Sequence, residues 1–114
     1  MAETLSSQEA LKLWHQALLS SVRAEGPDLS ARQMALFLQV YLAPPPHTVR
    51  GLAATLQISK PAVVRALDTL GRLDFTRRRR DQSDKRNVLI QRTVKGSVFL
   101  SEFADWVVTA SDTL

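Results

Sequence analysis

The sequence predicts a mainly α fold that carries one small β-hairpin, an α+β arrangement dominated by helix. Three observations lead there. Apolar residues recur at helical spacing in four or five segments. Hydroxyl caps, prolines and a Gly-Pro pair punctuate those segments. Only between Phe75 and Arg92 does the period fall to that of a strand, on both sides of a polar loop.

The elements follow in order. Leu11, Trp14, Leu18 and Val22 share a helical face and place a first helix over residues 7–24, with Ser6 and Ser7 both available as caps. Gly26-Pro27 ends it. Ser30 stands three residues before Gln33, a capping box, and opens a second helix through Met34, Phe37, Leu38 and Tyr41. Pro44-Pro45-Pro46 stops that helix, because proline has no N–H and clashes with the preceding turn. Thr48 caps a short third helix, Val49 to Leu56, with Leu52, Ala53 and Leu56 on one side. Gln57-Ile58 makes a tight turn. Ser59 then caps a fourth helix, with Pro61 in its first turn, where a missing N–H costs nothing.

Two short helices on such a turn form a helix-turn-helix, here residues 48–73. Phe75–Arg80 and Val88–Arg92 are strands joined by the turn-forming loop Asp81–Asn87, so residues 75–92 make the wing of a winged helix-turn-helix. Thr93 caps a last helix over residues 94–110, whose stripe is Phe99, Phe103, Trp106 and Ala110.

Bulk properties exclude several classes of function. A length of 114 residues suits one domain, taken as residues 1–114. There is no cysteine, hence no disulfide, thiolate metal site or cysteine nucleophile. The two histidines are far apart and have no clustered carboxylates, so no metal site is expected. No nucleophile–base pair or phosphate-cradling glycine loop appears; neither an enzyme nor a cofactor is expected. No apolar run approaches the roughly 18 residues that span a bilayer. The opening Met1-Ala-Glu-Thr-Leu-Ser6 lacks the basic-then-apolar order of a signal peptide, which makes the cytoplasm the expected location.

Charge is unevenly spread. Residues 1–59 carry four bases and four acids, residues 60–95 eleven bases against four acids, and residues 96–114 three acids and no base. The resulting +7 over one third of the chain is the footprint of a polyanion-binding surface. On the fourth helix, Val63, Ala66, Leu67 and Leu70 fall on a core side, and Pro61, Val64, Arg65 and Asp68 on the opposite one. An outward face of small residues near a helix N-terminus suits the major groove. Arg65 is expected to fork onto guanine O6 and N7, and Pro61, Ala62 and Val64 to touch thymine methyls. Thr48, Ser59, Lys60 and the helix N-termini are expected at phosphates.

The hairpin strengthens this expectation. Arg77 to Arg80 alternate sides of a strand, so two must share a face, and Arg78 and Arg80 are taken as that pair. At the tip, Lys85 and Arg86 would lie over the minor groove, with Asp84 holding Arg86 extended through a charge-assisted bond. Edge protection explains one or two charges on an exposed strand. It does not explain six bases within Arg77–Arg86. Asp68 is expected to orient a neighbouring arginine or to be solvated.

These residues resemble the MarR family of multiple-antibiotic-resistance-type regulators. The similar stretch runs from about Leu29 to Gly96 and includes Thr48-Val-Arg-Gly-Leu-Ala53, Ile58-Ser-Lys-Pro-Ala-Val-Val-Arg-Ala-Leu-Asp-Thr-Leu70, Asp81-Gln-Ser-Asp-Lys-Arg86 and Thr93-Val-Lys-Gly96. The resemblance implies a homodimeric, sequence-specific regulator of transcription, expected to repress, reading a palindromic stretch of double-stranded DNA. It places base contacts on Pro61, Ala62, Val64 and Arg65, and the wing role on Arg86 with Asp84. It also implies a small aromatic inducer, for which Trp14, His15, Tyr41 and His47 are candidates, although core packing competes for Trp14 and Tyr41. Three residues depart from the family pattern: Asp74 for glycine, Gly71 for glutamate and Arg92 for leucine. The apolar stripes of the first and last helices fit either a second subunit or the monomer's own core. The alternative function is a winged-helix protein-interaction module or antirepressor without direct DNA readout, which has no need of arginines on its hairpin.

Overall fold

A computed structural model describes residues 4–114; residues 1–3, which entered the signal-peptide argument, lie outside the described residues. The order is α1 (Ser7–Arg23), α2 (Ala31–Leu42), α3 (Val49–Leu56), α4 (Lys60–Arg72), β1 (Thr76–Arg80), β2 (Val88–Arg92) and α5 (Val94–Asp112). Among the described residues, five helices and one antiparallel hairpin make this the mainly α fold with a wing that the sequence predicts. Residues gather into two compact units, Leu29–Val98 and the stretch up to Asp28 together with Phe99–Leu114.

Local chemistry sets the boundaries. Ser6, not Ser7, caps α1, and its hydroxyl and the Glu9 carboxylate satisfy each other's amides at 3.1 and 3.0 Å. Ser30 and Gln33 do the same for α2 at 3.1 and 2.9 Å. α4 closes in a Schellman motif: the Phe75 amide reaches the Leu70 carbonyl at 2.9 Å and that of Asp74 reaches Gly71 at 3.0 Å. This motif needs a left-handed residue, and Asp74 supplies it at φ 59°. With its amide spent on the helix end, Phe75 precedes the strand instead of opening it. β1 therefore starts at Thr76, one residue later than expected.

The Leu29–Val98 unit has its core between α2, α3, α4 and the hairpin root. Leu36, Phe37, Val40, Leu52, Val63, Leu67, Leu70, Phe75 and Ile90 are all buried there. Phe37 stacks on Phe75 with centroids 5.2 Å apart. The Tyr41 hydroxyl ties three elements together. It lies 3.0 Å from the Phe75 carbonyl and 2.9 Å from that of Thr93, and accepts the Thr93 amide at 2.9 Å. Thr93 in turn caps α5, its hydroxyl accepting the Gly96 amide at 2.9 Å and donating to the Asp74 carbonyl at 2.7 Å.

Arg92 shows what its departure from leucine accomplishes. Its guanidinium donates to the Val40 and Ala43 carbonyls at 3.1 and 3.2 Å and lies 5.8 Å from the Tyr41 ring centroid. A cation thus closes the C-terminal end of α2, where the helix dipole is negative. In the other unit, Trp14 and Trp106 each meet Phe103 edge-on, at 6.0 and 5.9 Å, around the buried Ala17 and Ala110. Leu11, Trp14, Leu18, Val22 and Val108 remain exposed on that pair of helices.

Gly96 sits where a Cβ would overlap the Tyr41 hydroxyl and the Phe75 carbonyl. Gly96→Ala is expected to lower stability by roughly 1–3 kcal/mol or more, because the obstacle includes backbone. Thermal unfolding measures the loss; an unchanged midpoint would contradict this account of the hairpin root.

Candidate nucleic-acid interface

The α3–α4 pair is built by its caps. The Thr48 hydroxyl accepts the Gly51 amide at 3.0 Å and the Ser59 hydroxyl accepts that of Ala62 at 3.2 Å. Gln57 turns between them at φ 55°, and the Ile58 amide bonds the Ala53 carbonyl at 3.2 Å. As expected, Val63, Ala66, Leu67 and Leu70 face the core, while Pro61, Val64 and Arg65 are exposed. Ala62 requires a correction. It is buried at 5 % exposure beside Val63, because the burying face of α4 is wide enough to take in its first turn. Its methyl belongs to the core and not to the outward face.

The hairpin pairs Arg78 with Ile90 and Arg80 with Val88, so these positions share a face with buried Thr76 and Ile90. Arg77 and Arg79 occupy the other face. Arg78 does not project freely: its Nη2 donates to the Asp68 carboxylate at 2.6 Å and to the Val64 carbonyl at 3.3 Å. Asp68 thus orients an arginine, and that arginine comes from the hairpin. Arg80 is exposed. A contact absent from the sequence argument flanks the second strand: Thr48 bridges Leu89, and the Ile90 amide bonds the His47 carbonyl at 2.9 Å.

The loop between the strands is internally ordered. The Asp81 amide bonds the Asn87 carbonyl at 3.1 Å and the Asn87 amide that of Asp84 at 3.0 Å. Asp84 accepts Nε, Nη2 and the backbone amide of Arg86 at 3.0, 3.1 and 3.1 Å. These bonds, the guanidinium's first, hold the Asp84 carboxyl below its ordinary range and push the Arg86 pKa up. The Ser83 hydroxyl and amide lower Asp81 likewise. The Arg86 side chain stays 90 % exposed, held in a fixed pose with most of its surface offered to solvent.

Helix and hairpin meet across a concave pocket of about 470 Å³. Thr48 and Arg50 of the first turn of α3, Lys60 at the start of α4, and Asp84, Arg86 and Asn87 of the loop line it. Thr48, Lys60, Asp84 and Arg86 were each given a part in DNA binding by the sequence; Arg50 and Asn87 were not. A cation in the first turn after a capping threonine is the signal that marks Arg50. The pocket therefore joins three cations to the N-terminal ends of two helices, where free N–H groups and the dipole favour an anion. Among the inducer candidates, Tyr41 spends its hydroxyl at the hairpin root, and buried His47 bonds the Ala43 carbonyl at 3.1 Å. Among the described residues, no group of three His, Cys, Asp or Glu is placed to hold a metal, and no helix is long and apolar enough to cross a membrane.

A helix-turn-helix with a basic hairpin docked beside its second helix defines the winged-helix class. The MarR family model matches residues 27–87, more than half of the chain. The chain belongs to the MarR family. No curated protein sequence matches it. Solved structures do. A MepR–DNA complex from S. aureus is 23% identical, with 94% of this chain and 82% of that one covered at a TM-score of 0.74. The transcriptional repressor CouR bound to a 23-mer DNA duplex is 25% identical, with 93% and 72% covered at 0.72. A MepR mutant from a multidrug resistant S. aureus clinical isolate is 22% identical, with 97% and 81% covered at 0.78. The two MepR structures show likeness of fold.

Asp84, with a depressed pKa, orders Arg86 at neutral pH and loses that hold only as pH falls through its lowered value, below the ordinary carboxylate pKa of about 4. The Arg86 Nε–H resonance is expected to keep one position from pH 7 down to that range and then move toward the free-arginine value. Asp84→Asn is expected to show the free value throughout. Movement near pH 6 would contradict the pairing.

Proposed function

We propose that this chain is a sequence-specific DNA-binding transcriptional regulator, a repressor, that reads a palindromic operator as a homodimer. Residues 59–72 enter the major groove and the wing, 75–92, lies at the adjacent minor groove. One observation carries the reading: Lys60 at the start of α4 and Arg86 of the wing tip line one basic pocket within a single compact unit, and the same helix exposes Val64 and Arg65. One duplex can therefore touch both. Arg65 reads guanine, Pro61 and Val64 meet thymine methyls, and Arg86, posed by Asp84, enters the narrow groove. Thr48, Ser59, Lys60, Arg80 and Lys85 contact the backbone, and Arg50 joins them from the pocket wall.

The flanking helices, expected over 7–24 and 94–110, serve the pairing of subunits. Two helices with Leu11, Trp14, Leu18, Val22 and Val108 exposed leave an apolar surface that a second copy would cover. Two-fold symmetry then presents two recognition helices to two half-sites. The activity is binding, not catalysis, and its place is the cytoplasm, with the DNA. The family resemblance extends to a small aromatic inducer, which would act by lowering DNA affinity.

The test is competitive binding to an operator and to a scrambled duplex across a salt series. Affinity is expected to fall steeply with salt, with a slope of about −0.9 per phosphate neutralised. Arg65→Ala is expected to relax preference at one base position, at roughly 1–3 kcal/mol of discrimination. Arg86→Ala and Arg50→Gln are expected to weaken both duplexes evenly. Equal affinity of the parent chain for both duplexes would favour the protein-interaction reading.

A further inference from the structure

Resting on the DNA-binding reading, we infer that Asp68 and Arg78 form a positioning pair that sets sequence discrimination, and that Arg78 is not one of the cations that bind DNA phosphates. Sequence pattern alone groups Arg78 with Arg80 as a phosphate contact. The structure gives it other partners. Its Nη2 carries two hydrogens, and both are engaged by α4: one by the Asp68 carboxylate at 2.6 Å, one by the Val64 carbonyl at 3.3 Å.

The location of these acceptors gives the pair its role. Val64 and Asp68 are one helical turn apart on the outward side of α4 and bracket Arg65. Arg78 sits mid-strand in β1, two residues from each end. One guanidinium nitrogen therefore fastens the hairpin to the turn of α4 that presents Val64 and Arg65 to bases. Arg86 also has a carboxylate partner but stays 90% exposed on the loop, whereas Arg78 is 42% exposed and its Nη2 is held by two acceptors of α4, so Arg78 is turned toward the helix and away from phosphate. With Arg77 and Arg79 on the other face of the hairpin, the cations it keeps for DNA are Arg80, Lys85 and Arg86. Both side chains are about two-fifths exposed, at 42% and 45%, so the ion pair adds little to fold stability. Its effect is on the angle between helix and wing, which a rigid duplex requires to be right at both grooves at once.

The charge-neutral double variant Asp68→Asn/Arg78→Gln separates the roles. With the parent chain and Arg86→Gln as references, affinities for operator and scrambled duplexes are measured across a salt series, with a thermal midpoint for each protein. A positioning pair predicts an unchanged salt slope, unchanged scrambled-duplex affinity, and an operator-to-scrambled ratio lower by roughly tenfold, the low end of one base contact's discrimination. Arg86→Gln is expected to shallow the slope by about 0.9. If the double variant also shallows the slope by about 0.9 and weakens both duplexes equally, Arg78 is a phosphate cation and the inference is overturned. A double variant indistinguishable from the parent overturns it too, since the pair is then idle. Single Arg78→Lys keeps a charge that can reach Asp68 and is expected to recover most of the ratio; loss as severe as in the double variant would count against the pair. A parent chain that binds neither duplex removes the DNA reading itself, an outcome distinct from any of these.

Discussion

The hairpin is fixed at its root to α2 and α5 and along its side to α4, and every functional statement about this chain depends on that double attachment. At the root, the Tyr41 hydroxyl and Thr93 gather the end of α2, the start of β1 and the start of α5 around Gly96. Along the side, Arg78 reaches Asp68. A two-stranded hairpin is marginal by itself in water. Here the buried Thr76 and Ile90 pack its inner face, and the Thr48–Leu89 bridge lends a third edge. The wing tip can therefore be a polar, cation-bearing loop, ordered by its own hydrogen bonds on strands that are fixed at their base.

Fixing the hairpin has an electrostatic consequence. Cations crowded on one surface repel one another, and a chain with eleven bases in residues 60–95 must place them. Two are matched with acids, Arg78 with Asp68 and Arg86 with Asp84, and a third, Arg92, is given helix-end carbonyls. The pairings differ in effect. Arg86 keeps most of its surface in solvent and is aimed by its partner. Arg92 is spent on the end of α2, next to the strap of prolines that leads into Thr48. Three cations, Arg50, Lys60 and Arg86, nevertheless line one pocket.

Much of this was legible in the sequence, and the reasons are local. Capping boxes at Ser6 and Ser30, the caps Thr48, Ser59 and Thr93, and the proline stop after α2 are short-range chemistry, and each acts where it stands. The buried face Val63, Ala66, Leu67, Leu70 follows from helical period, as does the outward Val64 and Arg65. What escaped is non-local. The bond between Arg78 and Asp68 joins residues ten apart in sequence, and Arg92 reaches Val40 across 52. Neither spacing has a signature. Ala62 was misplaced because its small side chain and the family resemblance suggested a base contact, although it stands one turn before Ala66 on the core side of the helix. Asp74 was readable for a chemical reason: the Schellman closure demands a left-handed residue, and aspartate tolerates that geometry better than most.

The central claim is that the Val64–Arg65 face and the wing tip act together on one duplex, twice over in a two-fold pair. Selection of bound fragments from a random duplex pool tests it most directly. The account predicts enrichment of a two-fold symmetric sequence whose half-sites lie about one helical turn, or a whole number of turns, apart. A pool that emerges without sequence preference, or with a single unsymmetric motif, would contradict it.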